Sequence, residues 1–172
     1  TLADDGFENI SYLFDNFTRA LSDSALHNSI WVTVIFTVLS VVVTIGLALG
    51  IALLLGRGTP SRILVRTLLI LPFAMSPALV GISWRFMVSA QFGIFQAVFK
   101  DFWPALASIE WLADPVLAFA VLIASDVWHW TPYMAMLLLG GLASVPKETQ
   151  EAAEIDGATS WQVFRDVTLP AL

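Results

Sequence analysis

Asp126, His129, Trp130 and Tyr133 lie close together in an apolar run from Pro115 to Val145 whose single charge is Asp126. At about 100° per residue they fall within an arc of roughly 100° on one helix face. Indole and phenol rings can stack on the flat faces of sugar rings, while a carboxylate and an imidazole exchange hydrogen bonds with hydroxyls. An aspartate inside an apolar segment is costly and is by default a functional-site candidate. The competing reading is an interhelical polar cluster with aromatic packing. Other chemistries find less support. The chain has 8 basic and 14 acidic residues, a net charge of −6, which opposes a nucleic-acid partner. It has no cysteine, hence no disulfide or thiolate site, and two histidines are too few for a His-rich metal site. No metal ligand and no catalytic residue is assigned, because the apolar stretches hold neither paired carboxylates nor a Ser–His–Asp set. A G-x-x-x-x-G-K-[ST] loop is also missing, so this chain is not expected to use ATP itself.

A second constellation lies in residues 146–172. Pro146 suits a helix start, Ala152 and Ala153 are strong helix formers, and Gly157 can end a helix in a left-handed conformation. Thr159 with Gln162 fits a capping box, Trp161, Phe164 and Val167 form an apolar edge, and Pro170 stops the pattern. Helix, glycine turn, helix is the expectation. Such a pair either docks in a groove on a partner or serves as a solvated connector.

The elements that must carry these residues are membrane helices. Of the 172 residues 58% are hydrophobic and 13% charged, about half the roughly 25% charge of soluble domains, which excludes ordinary cytosolic and disordered classes. Residues 30–55 carry no charge, and about 20 such residues cross a bilayer as a helix. Gly46 and Gly50 within them form a G-x-x-x-G pair, with Ala48 and Ala52 close by, that would admit a close helix or else is the ordinary small-residue content of a membrane helix. A second span, about 67–90, holds Pro72 and Pro77 and is expected to kink. The third is 115–145, interrupted by Pro132.

Arg57, Arg62 and Arg66 put the first connection inside, so residues 1–29 and 91–114 are expected outside and 146–172 inside. Phe7, Ile10, Phe14, Phe17 and Leu21 predict an outer interfacial amphipathic helix within 1–29, and the aromatic residues of 91–114 suit the headgroup level of membrane lipid. No basic stretch followed by an apolar core opens the chain, so no signal peptide is expected. The domains read as 1–29 (outer interfacial segment), 30–145 (transmembrane region) and 146–172 (cytoplasmic segment).

Glu151-Ala152-Ala153, Asp156-Gly157-Ala158, Phe164 and Leu169-Pro170 resemble the cytoplasmic EAA motif of permease subunits of binding-protein-dependent ABC importers. Trp128-His129-Trp130-Thr131-Pro132-Tyr133, Gly141-Leu142, Trp111 to Pro115 and Leu71-Pro72 are similar to the carbohydrate, maltose-type branch. The resemblance covers the chain from about Asn16 onward. Gln96 stands where that branch often has asparagine, and Glu154 where many members are basic.

The resemblance implies an all-α membrane protein: three transmembrane helices of a type I ABC importer permease bundle plus cytoplasmic coupling helices. That family usually has about six spans, so one upstream and two downstream are expected beyond this piece. The resemblance further implies solute contact by His129, Trp130 and Tyr133, to which the chemistry of an aspartate in an apolar run adds Asp126 as a solute-binding candidate. Glu151, Ala152, Ala153, Asp156 and Gly157 would couple to an ATP-binding subunit. The implied partners are ATP-binding subunits that hold ATP and Mg, a second permease subunit and an extracytoplasmic solute-binding protein, in a bacterial or archaeal plasma membrane. This chain would bind no cofactor. The alternative from the residues alone is an ion-coupled secondary transporter with proline-broken helices, with Asp126 and Arg85 as coupling residues.

Overall fold

The computed structural model describes residues 17–56, 62–107 and 109–172. Among them are helices and turns and no strand. Most of the expected outer amphipathic helix lies outside the described residues; its last turns, 17–22, are helical. Arg57 also lies outside them.

Helix α1, Ser24–Gly56, is 33 residues long. By length and hydropathy alone it is the described helix able to cross a membrane. Two compact units divide within it, one ending at Leu39 and the other comprising Ser40–Leu172. In the second unit α1 buries one narrow stripe, Ser40, Thr44, Ala48 and Ala52, at four-residue spacing. The expected Gly46–Gly50 approach is not on that stripe. A side chain built at either glycine would meet nothing within 4 Å, so among the described residues no helix sits on them.

The second expected span is two helices, α2 (Arg62–Ala74) and α3 (Pro77–Met87). The two prolines act differently. Pro72 is held inside α2, whereas Pro77 takes the first turn of α3 and forces its predecessor out of helical geometry. Ser76 accordingly has φ −67° and ψ 146°, and its hydroxyl accepts from the Leu79 N–H. The expected kink is therefore a break at Met75–Ser76.

Residues 91–114 contribute α4 (Ile94–Phe102) and the short α5 (Pro104–Ala107). Helix α6, Pro115–Ser144, is one continuous helix over nearly the residues read as the third span. Asp114 caps it by accepting from the N–H groups of Val116 and Leu117 at 2.8 and 3.0 Å, and Pro115 occupies the first turn, where a missing N–H costs nothing. Its 30 residues give it a length of about 45 Å, against about 30 Å of hydrocarbon. Pro132 lies within it without ending it. Helices α2 and α3 both pack on α6. Toward the other end of α6, Ala52 and Leu55 of α1 meet Leu139, with Leu69 of α2 and Met136 packed against them.

The tail is α7 (Lys147–Ile155), then α8 (Ser160–Val163), continued by a widened π turn over Phe164–Thr168. Pro146 is the cap of α7 rather than its first helical residue. The expected capping box is present: the Thr159 hydroxyl accepts from the Gln162 N–H, and the Gln162 side chain accepts from the Thr159 N–H at 2.8 Å.

Candidate functional site: an aromatic face on α6 and an exposed tail

Midway along α6 the structure brings three of the four predicted site residues into one cluster and completes it with Phe73 from the end of α2. The Phe73 and Tyr133 rings stack with centroids 4.9 Å apart and 16° between planes. Trp130 lies 5.9 Å from Phe73 and 6.1 Å from Tyr133, the latter nearly edge-on. His129 meets Trp130 edge-on at 5.3 Å. Offset and edge-to-face arrangements of this kind match the ring quadrupoles. Trp130 and Tyr133 remain 42% and 41% exposed despite these contacts.

The fourth residue is engaged elsewhere. The Ser40 hydroxyl of α1 donates to Asp126 Oδ2, tying α1 to α6. His129 is buried, and its Nδ1–H donates to the Pro72 carbonyl oxygen at 3.0 Å. Both groups make interhelical hydrogen bonds beside the ring cluster. A second aromatic set uses other faces: Trp84 of α3 packs edge-on against Trp128 of α6 and Phe95 of α4, each at 6.2 Å. It joins three helices around the rim of α6.

Sequence reasoning missed Phe73, Ser40 and this second set. The available signal for Phe73 was its position next to Pro72, where a broken helix turns its last side chains toward a neighbour. Among the described residues no cluster of three or more potential metal ligands occurs.

In the tail, α7 has no buried residue. Glu151, Ala152, Asp156 and Gly157 are exposed and Ala153 is half-buried. Gly157 has φ +87°, in the left-handed region that glycine enters without strain. Its N–H donates to the Glu154 carbonyl and the Ala158 N–H to the Ala153 carbonyl, both at 3.0 Å, the paired bonds of a Schellman helix end. Ile155, beside the turn, is 86% exposed, and Trp161 meets Phe164 in a tilted contact at 5.5 Å while remaining largely exposed.

A groove of about 830 Å³ runs from the ends of α1 and α6 to this tail, lined by Leu55, Leu139, Lys147, Glu154 and Trp161 among others, and is separate from the ring cluster. Arg165 and Asp166 pair in solvent at 2.6 Å. Hydrogen bonds from the guanidinium hold the Asp166 carboxyl below its usual range, against a small opposite effect of lost solvent. The pair's contribution is therefore present above the ordinary carboxylate range and is lost only as pH falls through that lowered value; an exposed pair contributes little either way.

Proline-broken apolar helices, a mid-helix aromatic face and an exposed helix–turn–helix tail suit a component of a membrane transport system. The chain belongs to the family described as binding-protein-dependent transport system inner membrane components, whose model matches residues 43–172. It is 34% identical over 157 residues to the trehalose/maltose transport system permease protein MalF of Thermococcus litoralis, covering 91% of this chain and 52% of that protein. It is 35% identical over 161 residues to the sn-glycerol-3-phosphate transport system permease protein UgpA of Agrobacterium fabrum, covering 91% and 53%. The chain thus spans about half the length of the curated relatives it matches. The fold matches a chain in the crystal structure of a bacterial ABC transporter involved in import of the acidic polysaccharide alginate, with TM-score 0.79 and 24% identity over 92% of this chain and 55% of that one. The all-α permease fold expected from the sequence is the observed one. Family membership also removes the ground for an ion-coupled role of Asp126 and Arg85.

Proposed function

We propose that this chain is a transmembrane permease subunit of an ABC importer that forms part of a carbohydrate pathway and couples it to ATP hydrolysis in a separate subunit. The observation that carries this reading is the tail. Helix α7 buries nothing within this chain, and a left-handed glycine sets the angle to the next helix. A short exposed helix that ends at an 86% exposed Ile155 offers its surface to a partner. An ATP-binding subunit, holding ATP and Mg, is that partner, with Glu151, Ala152, Ala153, Asp156 and Gly157 at the joint.

Solute would meet the exposed faces of Trp130 and Tyr133, backed by Phe73, with Asp126 and His129 beside them. Stacking on rings suits a sugar. The relatives named for trehalose/maltose and sn-glycerol-3-phosphate support a sugar or related polyol. The alginate transporter is also known in complex with an alginate pentasaccharide-bound periplasmic protein, which supports an external solute-binding protein as a further partner. A second permease subunit completes the pathway. In this reading the inner-membrane chain has residues 91–114 outside and 146–172 in the cytoplasm.

The test is solute uptake by the full-length complex in proteoliposomes with the ATP-binding subunit present, absent, or inactivated in its nucleotide site. Uptake only with the active subunit is expected. Uptake that persists without it, driven by an ion gradient, would reject the proposal.

A further inference from the structure

We infer that His129 is a positioning residue for the ring cluster, acting through the Pro72 carbonyl to hold Phe73 against Tyr133; the inference rests on the reading of Trp130 and Tyr133 as the solute face. His129 is 6% exposed, whereas the two neighbouring rings are more than 40% exposed. Its Nδ1 lies 3.0 Å from the Pro72 oxygen. A carbonyl only accepts, so Nδ1 carries the proton and donates.

The location of that carbonyl explains why the bond matters. In an unbroken helix it would accept from the N–H of Ser76. Here α2 stops at Ala74, and Ser76 has turned extended to cap α3. The Met75 N–H reaches the Pro72 oxygen at 3.3 Å, closing a tighter turn and leaving the second lone pair of the oxygen for His129. Backbone groups at membrane depth must find partners within the protein, so a side chain from α6 completes the break between α2 and α3.

The Pro72 carbonyl shares its peptide plane with the nitrogen of Phe73. Fixing that plane fixes the direction in which Phe73 leaves the backbone, and Phe73 is the ring that stacks on Tyr133 and touches Trp130. His129 therefore shapes the face from beneath. A direct solute contact by His129 would instead have to use Nε2.

The two roles separate by substitution in the full-length complex. An asparagine amide can place its NH₂ near the former Nδ1 position, and a glutamine amide places its polar end near Nε2. The positioning role predicts that His129→Asn retains clearly more ATP-dependent uptake than His129→Gln or His129→Leu. His129→Gln and His129→Leu should lower Vmax/KM about tenfold, the scale of one buried hydrogen bond lost. Spin labels at Ile70 on α2 and Ile82 on α3 provide a readout that does not depend on transport. Their distance distribution should be narrow in the wild type and in His129→Asn and broad in the Gln and Leu variants.

An active Gln variant with an inactive Asn variant, or a narrow distribution in His129→Leu, would overturn the inference. If Trp130→Ala and Tyr133→Ala leave uptake unchanged, the solute-face reading fails instead, and the label distances still decide whether His129 holds the break.

Discussion

Trp130 and Tyr133 are each packed against neighbouring rings yet partly exposed, and this combination is what a stacking site requires. Trp130→Ala or Tyr133→Ala in the full-length complex should weaken solute interaction by about 1–3 kcal/mol, by analogy with aromatic stacking on nucleobases. The check is apparent KM for uptake alongside membrane abundance; unchanged KM in both variants would favour pure packing. A backbone prediction concerns Gly93, which caps α4. A side chain there would lie 2.6 Å from the Met87 carbonyl oxygen and closer still to that of Ser89. Because both obstacles are backbone, Gly93→Ala should destabilise the turn by about 1–3 kcal/mol, as overpacking does. A lowered unfolding midpoint of the purified complex measures it. The sequence shows that Asp126, His129, Trp130 and Tyr133 share a helix face, because 3.6-residue periodicity is a local property. It does not show that Asp126 turns to Ser40 and His129 to Pro72, since those partners are 86 and 57 residues away.

Among the elements, the contact between α1 and α6 depends on a polar clasp set on a stripe of small residues. The Ser40 hydroxyl is buried and donates to Asp126. Ser40→Ala would leave the carboxyl without that donor, at a cost of about 1–3 kcal/mol. Denaturant titration of the detergent-solubilised complex should show the loss in Ser40→Ala and little of it in Ser40→Thr, which keeps a hydroxyl; equal stability of Ser40→Ala and wild type would contradict the clasp. The helix ends were the most legible part of the sequence. Thr159 with Gln162, and Gly157, each act within a few residues, and each is found where capping chemistry places it. The break at Ser76 was legible as a kink but not as two helices, because that outcome depends on Pro72 being tolerated inside α2 while Pro77 starts α3. The sequence offers two small-residue faces two positions apart. Gly46 and Gly50 fit the spacing rule, but the stripe that packs is Ser40, Thr44, Ala48 and Ala52. Spacing alone does not say which of two small-residue faces has a neighbour.

For the whole molecule, the account predicts opposite sides of the membrane for the α4–α5 region and the tail. These 172 residues hold no cysteine, so single cysteines at Asp101 and Glu148 report cleanly once any cysteine elsewhere in the full-length protein is replaced. In sealed cells an impermeant thiol reagent should label position 101 and not 148, and the reverse pattern would invert the topology. The central claim is that the tail transmits ATP-driven movement in a partner to the helices carrying the ring cluster. Gly157 is the place to test it, because a side chain at φ +87° is strained by about 1–2 kcal/mol. A docked α7 cannot absorb the resulting change of angle, whereas a solvated connector can. The most direct measurement is ATP hydrolysis by the reconstituted full-length complex carrying Gly157→Val, with and without solute-loaded external binding protein. The account predicts that stimulation by the loaded protein is lost while the subunits still associate and the external protein still binds solute. Normal stimulation in that variant would contradict it.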